Sequence, residues 1–241
     1  MQYTLGTGYG ERAPSVSEGY GFYLFNRFDG FDYVGNPEML NERSIEINAS
    51  LEYENKNKKW NARLTGSYFH IMDYIIGKPD FSLSPMTIGA NGIKIYEQLE
   101  YASLFNAALS LGYELHENLN WTGQILYNYG EDYNNNNLPL VQPFIYQTSL
   151  KYYKGSFSME TSLQGAAKQI NFSPEFGENE TAAYSIVNLS ASKTGLLNQQ
   201  NLSLKLGVEN LFDTYYSTFS DWNNIPRRGC NIYVNLSYAI L

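Results

Sequence analysis

Residues 44–53 read Ser44-Ile45-Glu46-Ile47-Asn48-Ala49-Ser50-Leu51-Glu52-Tyr53. In an extended chain Ile45, Ile47, Ala49, Leu51 and Tyr53 fall on one face, and Ser44, Glu46, Asn48, Ser50 and Glu52 on the other. This period of two is the signature of a strand with one apolar and one polar side. It recurs at Trp60 to Ser67, Asn106 to Leu115, Trp121 to Tyr129, Phe157 to Gln164, Leu202 to Glu209 and Cys230 to Ile240. Gln2 to Tyr9, Phe144 to Tyr153 and Tyr184 to Ser192 carry weaker versions, which brings the expected total to ten strands. No segment holds a 3.6-residue period, so the fold class is all-β.

The connections alternate as regularly as the strands. Short ones lie at Asn55 to Lys58, His116 to Asn118, Lys154-Gly155 and Thr194 to Gln200. Long ones run over Gly10 to Glu42, Gly77 to Gly92, Gly130 to Gln142, Asn171 to Ala183 and Asp213 to Arg228. In an antiparallel up-and-down sheet successive connections fall at opposite ends, so all the long loops share one end. Short turns inside and long loops outside is how transmembrane β-barrels of the outer membrane are built. Tyr and Trp gather near strand ends, among them Tyr9, Tyr53, Trp60, Trp121 and Tyr238, where such barrels carry aromatic girdles. A soluble β-sandwich, such as a carbohydrate-binding module, fits the same alternation with its apolar faces turned inward. Strands of ten residues, longer than the usual five or six of a soluble sheet, favour the barrel.

Composition closes other routes. The net charge is -8, and no basic stripe exists to replace the counterions of a phosphate backbone, so no nucleic-acid partner is expected. The single Cys230 excludes an internal disulfide and a multi-cysteine metal site, and no cofactor motif is present. No apolar run approaches the roughly 18 residues of a membrane helix, so any crossing is made by strands.

Short motifs sharpen the reading. Val208-Glu209-Asn210-Leu211-Phe212-Asp213-Thr214-Tyr215-Tyr216, then Ile225-Pro226-Arg227-Arg228-Gly229 and a final amphipathic strand, resemble the end of a TonB-dependent outer-membrane receptor. Gly8-Tyr9-Gly10-Glu11-Arg12-Ala13-Pro14-Ser15 resembles the family's strand and its Arg-Ala-Pro-Ser element, and Gly35-Asn36-Pro37 its loop exit. The resemblance spans the chain in the right order. Asn41, Cys230 and the terminal Leu241 depart from the family pattern, the last at the residue read by the barrel insertion machinery. The resemblance implies that residues 1–241 are the C-terminal part of a barrel of about 22 strands. The plug domain, signal peptide and coupling segment are then expected outside residues 1–241. It also implies outer-membrane lipid as surroundings, and uptake of a siderophore-like metal chelate or similar scarce nutrient driven through a TonB-type partner of the full-length parent. A self-contained small barrel, working as a porin or a rim enzyme, is the alternative.

An enzyme needs a histidine among carboxylates at the rim. His70 has Asp73 nearby, but His116 belongs to the opposite end, and no catalysis is expected. Ligand binding belongs to the outer loops. Tyr20, Tyr23 and Tyr33 with Arg12 and Arg27 suit a flat anionic or aromatic chelate through stacking and cation–π contact, and Tyr216 and Trp222 extend the set. The same rings equally suit packing of the loop on itself. Met39, Met72 and Met86 offer soft donors of the kind Cu(I) prefers. Asn210, Leu211, Phe212, Asp213, Pro226, Arg227 and Gly229 read as structural, ending a strand and shaping the last loop.

Overall fold

The computed structural model describes residues 1–142, 144–196, 199–221 and 224–239. Among them ten long strands form one sheet in the order β1 (Gln2–Arg12), β4 (Glu42–Glu54), β5 (Trp60–Asp80), β6 (Gly92–His116), β7 (Leu119–Asp132), β8 (Ile145–Lys154), β9 (Phe157–Ala166), β10 (Tyr184–Leu196), β11 (Gln199–Glu209) and β12 (Asn231–Tyr238). Each pairs antiparallel with its neighbour in this order, as an up-and-down barrel wall requires. β1 and β12 stand at the two ends of the path and do not pair with each other, so the wall is open. All ten lie in a single layer, which replaces the two packed sheets of a sandwich.

Register carries one polar face across the sheet. Gly6 pairs with Asn48, Asn48 with Ser67, Ser67 with Asn106 and Asn106 with Asn128. Further along, Gln124 faces Gln147, which faces Gln164. This face is concave enough to enclose a hollow of about 350 Å³ lined by residues such as Thr4, Asn48, Ser67 and Asn106. The opposite face is apolar and uncovered: Leu5 is 77% exposed, Ile47 50% and Val234 67%. A patch of that extent is far beyond what a water-facing sheet carries. Two aromatic rows bound it. Trp60, Tyr113 and Trp121 are cross-strand partners near the short turns, and Tyr68, Phe105 and Tyr129 near the long loops. Trp60 and Tyr68 are eight residues apart, about 27 Å along the strand.

The short turns lie side by side at one end. Glu114 N donates to Lys59 O (2.7 Å), Tyr153 N to Asn118 O (2.9 Å) and Thr194 N to Ser156 O (2.9 Å). The turn expected at Thr194 to Gln200 is tighter, since β10 runs to Leu196 and β11 starts at Gln199.

The larger corrections come at the other end. β5 and β6 hold 21 and 25 residues, against the eight and ten that alternation marked. Past Ser67 the run Tyr68-Phe69-His70-Ile71-Met72 loses its polar face because loops cover it on the inner side, so the period vanishes while the pairing continues to Asp80 and Ile93. The connection expected from Gly77 to Gly92 therefore shrinks to residues 81–91. The first long loop is not bare either. It holds a helix, α1 (Val16–Tyr20), and a hairpin of β2 (Leu24–Asn26) with β3 (Phe31–Val34). β3 then pairs in parallel with β6, Phe31 to Val34 against Gly92 to Ile95, the one departure from antiparallel pairing in the described sheet. This docks the first loop on the projecting part of β6, over the polar side of the wall.

Candidate functional site

The mouth of the wall is built by the long loops, beginning with residues 13–41. Ser15 and Glu18 form a capping box: Glu18 N donates to Ser15 Oγ (3.3 Å), and Ser15 N to Glu18 Oε2 (2.6 Å). Such a box satisfies two free donors at a helix start, which is how a five-residue helix survives. Arg12 clamps it, with Nη1 2.8 Å from Glu18 and Nε 2.6 Å from Glu42, so the end of β1, the helix and the start of β4 meet on one guanidinium. The loop returns past Gly35, whose N donates to Gly21 O (2.7 Å). A Cβ at Gly35 would lie 2.6 Å from Gly21 N, so only glycine permits the approach.

The β2–β3 hairpin brings a carboxylate inside. Asp29 accepts from Phe31 N (3.2 Å), Tyr33 OH (2.6 Å) and the ammonium of Lys94 on β6 (2.8 Å). Asp29 and Lys94 are each 3% exposed. The ammonium also lies 4.6 Å from the centre of the Phe31 ring, a cation–π contact. Burial, then the Asp29 carboxylate, push the Tyr33 phenol well above its usual value. Asp32, wholly buried, accepts from Met86 N and Thr87 N, both at 2.8 Å, and so ties residues 81–91 to the hairpin. Burial alone would raise its carboxyl; the bonds from Thr87 and Met86 hold it below the ordinary value.

Behind the hairpin, Ile76, Leu99, Ala102, Leu138 and Phe176 form a buried apolar cluster that joins β5 and β6 to the later loops. Glu178 crosses between two of these loops, accepting from Ser173 N (2.8 Å), Gln169 Nε2 (3.1 Å) and Leu140 N (3.2 Å). Its burial outweighs these bonds and raises its carboxyl. Asn224 Nδ2 donates to Glu180 O (3.1 Å), and Tyr216 stacks on Tyr184 at 4.5 Å, which joins the last loop to the fourth.

These contacts enclose an open cavity of about 610 Å³ on the polar side of the wall. Rings of Tyr33, Tyr74, Tyr96, Phe176 and Phe219 line it with the amides of Asn26, Asn106, Asn128 and Gln142 and the stem of Lys94. Concave, largely apolar, with a few convergent polar groups, it has the character of a small-molecule site.

Of the loop residues singled out from sequence, Tyr33 is the one in this lining. Arg12 is engaged by its two glutamates. Tyr20 and Arg27 are exposed, and Tyr23 packs edge-on against Phe22. Tyr216 sits in the neighbouring stack with Tyr184, and Trp222 lies outside the described residues. His70 stacks on Tyr101 (4.9 Å) while Asp73 takes Arg43 (2.6 Å), so the two form no acid–base pair. Met72 is in the β5 wall, and Met39 and Met86 are in separate loops.

The motif at the end of β11 has a definite geometry. Asn210, 2% exposed and at φ 50°, accepts from Thr214 N and donates to Thr214 O, both at 2.8 Å, and its own N donates to Asn188 Oδ1 (2.9 Å). Leu211 N continues to Val187 O (2.8 Å), while Phe212 is exposed. Asp213 Oδ1 accepts from Cys230 N (2.7 Å), where a Cβ at Gly229 would collide with that oxygen. Arg227, after Pro226, pairs with Asp221 (2.6 Å).

Sequence reading missed Asp29, Lys94 and Glu178. A signal existed: Lys94 sits between Ile93 and Ile95, and Asp29 and Asp32 sit in an aromatic run, where an unmatched charge has no place.

Comparison with known proteins agrees with this architecture. The copper transporter OprC superposes with a TM-score of 0.83 at 17% identity, covering 98% of this chain and 38% of its own. The siderophore receptor PirA from Pseudomonas aeruginosa gives 0.69 at 20%, covering 99% and 40%. A mutant form of the ferric enterobactin receptor PfeA from the same organism, in complex with enterobactin, gives 0.72 at 18%, covering 98% and 38%. The chain thus spans about two fifths of the structures it matches. No curated protein matches it in sequence. The family model for TonB dependent receptor-like β-barrels matches residues 2–211, and the chain belongs to that family.

Proposed function

We propose that this chain forms wall and outer loops in the C-terminal part of a longer outer-membrane receptor of a Gram-negative bacterium. The receptor takes up a metal chelate of siderophore type, or a similar scarce nutrient, with energy relayed by a TonB-type partner. Residues 1–241 act as one barrel segment. The observation that carries the reading is the pairing of an uncovered apolar face, bounded by two aromatic rows about 27 Å apart along the strand, with a loop-built cavity on the opposite, polar face. At the strand tilt of about 35–45° in outer-membrane barrels, rows so spaced stand about 20 Å apart along the membrane normal, within the lipid-facing apolar band of about 25 Å. Open wall edges support membership in a longer chain, because each unpaired backbone group in lipid costs several kcal/mol. A chelate suits the lining better than a bare soft ion, since the described cavity residues offer rings and amides but no sulfur.

The test is to read the coding DNA upstream of Met1 and express the whole reading frame in a Gram-negative host lacking its own ferric receptors. An outer-membrane protein that restores growth on an iron or copper chelate only when the coupling protein is present supports the proposal. A product recovered in the aqueous fraction, or growth independent of coupling, sinks it.

A further inference from the structure

We infer that the mouth of this wall selects a neutral or cationic ligand and turns away polyanionic chelates, an inference that rests on the receptor reading above. The first ground is that the cation in the cavity is already matched. Lys94 lies 2.8 Å from Asp29, with both groups sealed from solvent, so its charge is spent within the protein. Three further outer cations are matched in the same way, Arg12 with Glu18 and Glu42, Arg227 with Asp221, and Lys168 with Glu180, while Arg27 and Arg228 are exposed and outside the lining.

The second ground is the balance that remains. The five outer connections, residues 13–41, 81–91, 133–144, 167–183 and 210–230, taken with Arg12 and Lys94 that pair into them, hold nine acidic and six basic side chains, so acidic groups stay in excess. An excess of one sign in the loops around a concave mouth biases the field met by whatever enters. The third ground is the lining itself. Tyr33, Tyr74 and Tyr96 supply ring faces, whose quadrupole is negative and attracts cations. Asn106, Asn128 and Gln142 supply neutral donors and acceptors suited to the amides and hydroxyls of an uncharged chelate. A trianion would shed its water against ring faces in a negative field, with no unmatched lining cation to receive it.

The test is binding to the purified receptor that contains this chain, in detergent, followed by intrinsic fluorescence. Three ferric probes of similar size are compared: a neutral trihydroxamate, a singly cationic trihydroxamate and a trianionic tris-catecholate. The neutral and cationic probes are expected to bind at least about ten-fold more tightly than the trianion at about 0.01 M salt. The gap should narrow at about 1 M salt, where the screening length falls from about 30 Å to about 3 Å. A gap that does not narrow with salt overturns the charge inference. A trianion bound as tightly as the neutral probe overturns the charge inference and leaves the receptor reading intact. Failure of all three to bind overturns the chelate-receptor reading and the inference with it.

Discussion

The ammonium of Lys94 on β6 and the carboxylate of Asp29 in the first loop meet at 2.8 Å, 65 residues apart in sequence and nearly sealed from water. The pair fixes where the β2–β3 hairpin lies on the wall. Removing one partner of such a pair strands the other charge in a poorly solvated site, which costs about 3–5 kcal/mol.

Lys94→Met is therefore expected to free the hairpin while leaving the wall intact. Hydrogen exchange at the amides of residues 31–34 should speed up, with those of β8 and β9 unchanged. Pairing it with Asp29→Leu should recover most of the loss, because no lone charge then remains. Equal exchange in the single and double variants would show that packing, not charge, holds the hairpin.

Acid should loosen the first and last loops. Glu18 feels burial, which raises its carboxyl, but Arg12 and Ser15 outweigh it; Asp221 feels burial, outweighed by Arg227 and Thr218. Both carboxyls end below their ordinary values, so they bind protons less readily folded than unfolded. Their contribution is complete at neutral pH and fades as pH falls from about 4 through the depressed folded values. Arg12→Ala should weaken the α1 region at neutral pH and flatten its acid response, readable in exchange rates between pH 7 and 3.

Glu178 has the opposite sign. Burial raises its carboxyl above the ordinary value, so ionisation opposes the folded loops and protonation relieves them. Glu178→Gln keeps an acceptor for Leu140 N and Gln169 Nε2 but turns its NH2 towards Ser173 N, so it should cost about 1–3 kcal/mol, offset in part by the ionisation penalty it removes, and abolish this group's pH dependence. Glu178→Ala leaves the donors of Ser173, Leu140 and Gln169 without their acceptor, at about 1–3 kcal/mol each where no water enters. Thermal melts of the two variants at pH 7 and pH 5 distinguish the cases.

Asn210→Ala is expected to cost about 2–4 kcal/mol, from the lost bonds to Thr214 and from a φ of 50° that alanine adopts poorly. Asn210→Gly, which keeps the backbone freedom, should recover part of that. The readout is the yield of heat-modifiable folded protein, and a yield equal to the unaltered chain would contradict a locking role for the turn.

The strands and their two faces were legible in the sequence because side-chain direction in an extended chain has a fixed period of two, whatever the neighbours. Ser44 to Tyr53 announces which side meets water, and loop lengths announce which end carries the mouth. The capping box at Ser15 and Glu18 was legible in principle, being a local pattern, although five residues are too few to show a helical period. Three features were decided by the tertiary structure alone. β5 and β6 run past Ser67 because loops cover their inner face there, so pairing persists after the alternating pattern has gone. Asp29 finds Lys94, and Glu178 finds Ser173 and Leu140, across distances in sequence at which no periodicity acts. The cavity arises where Tyr33 of β3, Tyr74 of β5, Tyr96 of β6 and Phe219 of the last loop are brought together from four parts of the chain. Local chemistry sets the wall strand by strand; the mouth depends on which buried charge meets which, and only the folded chain determines that.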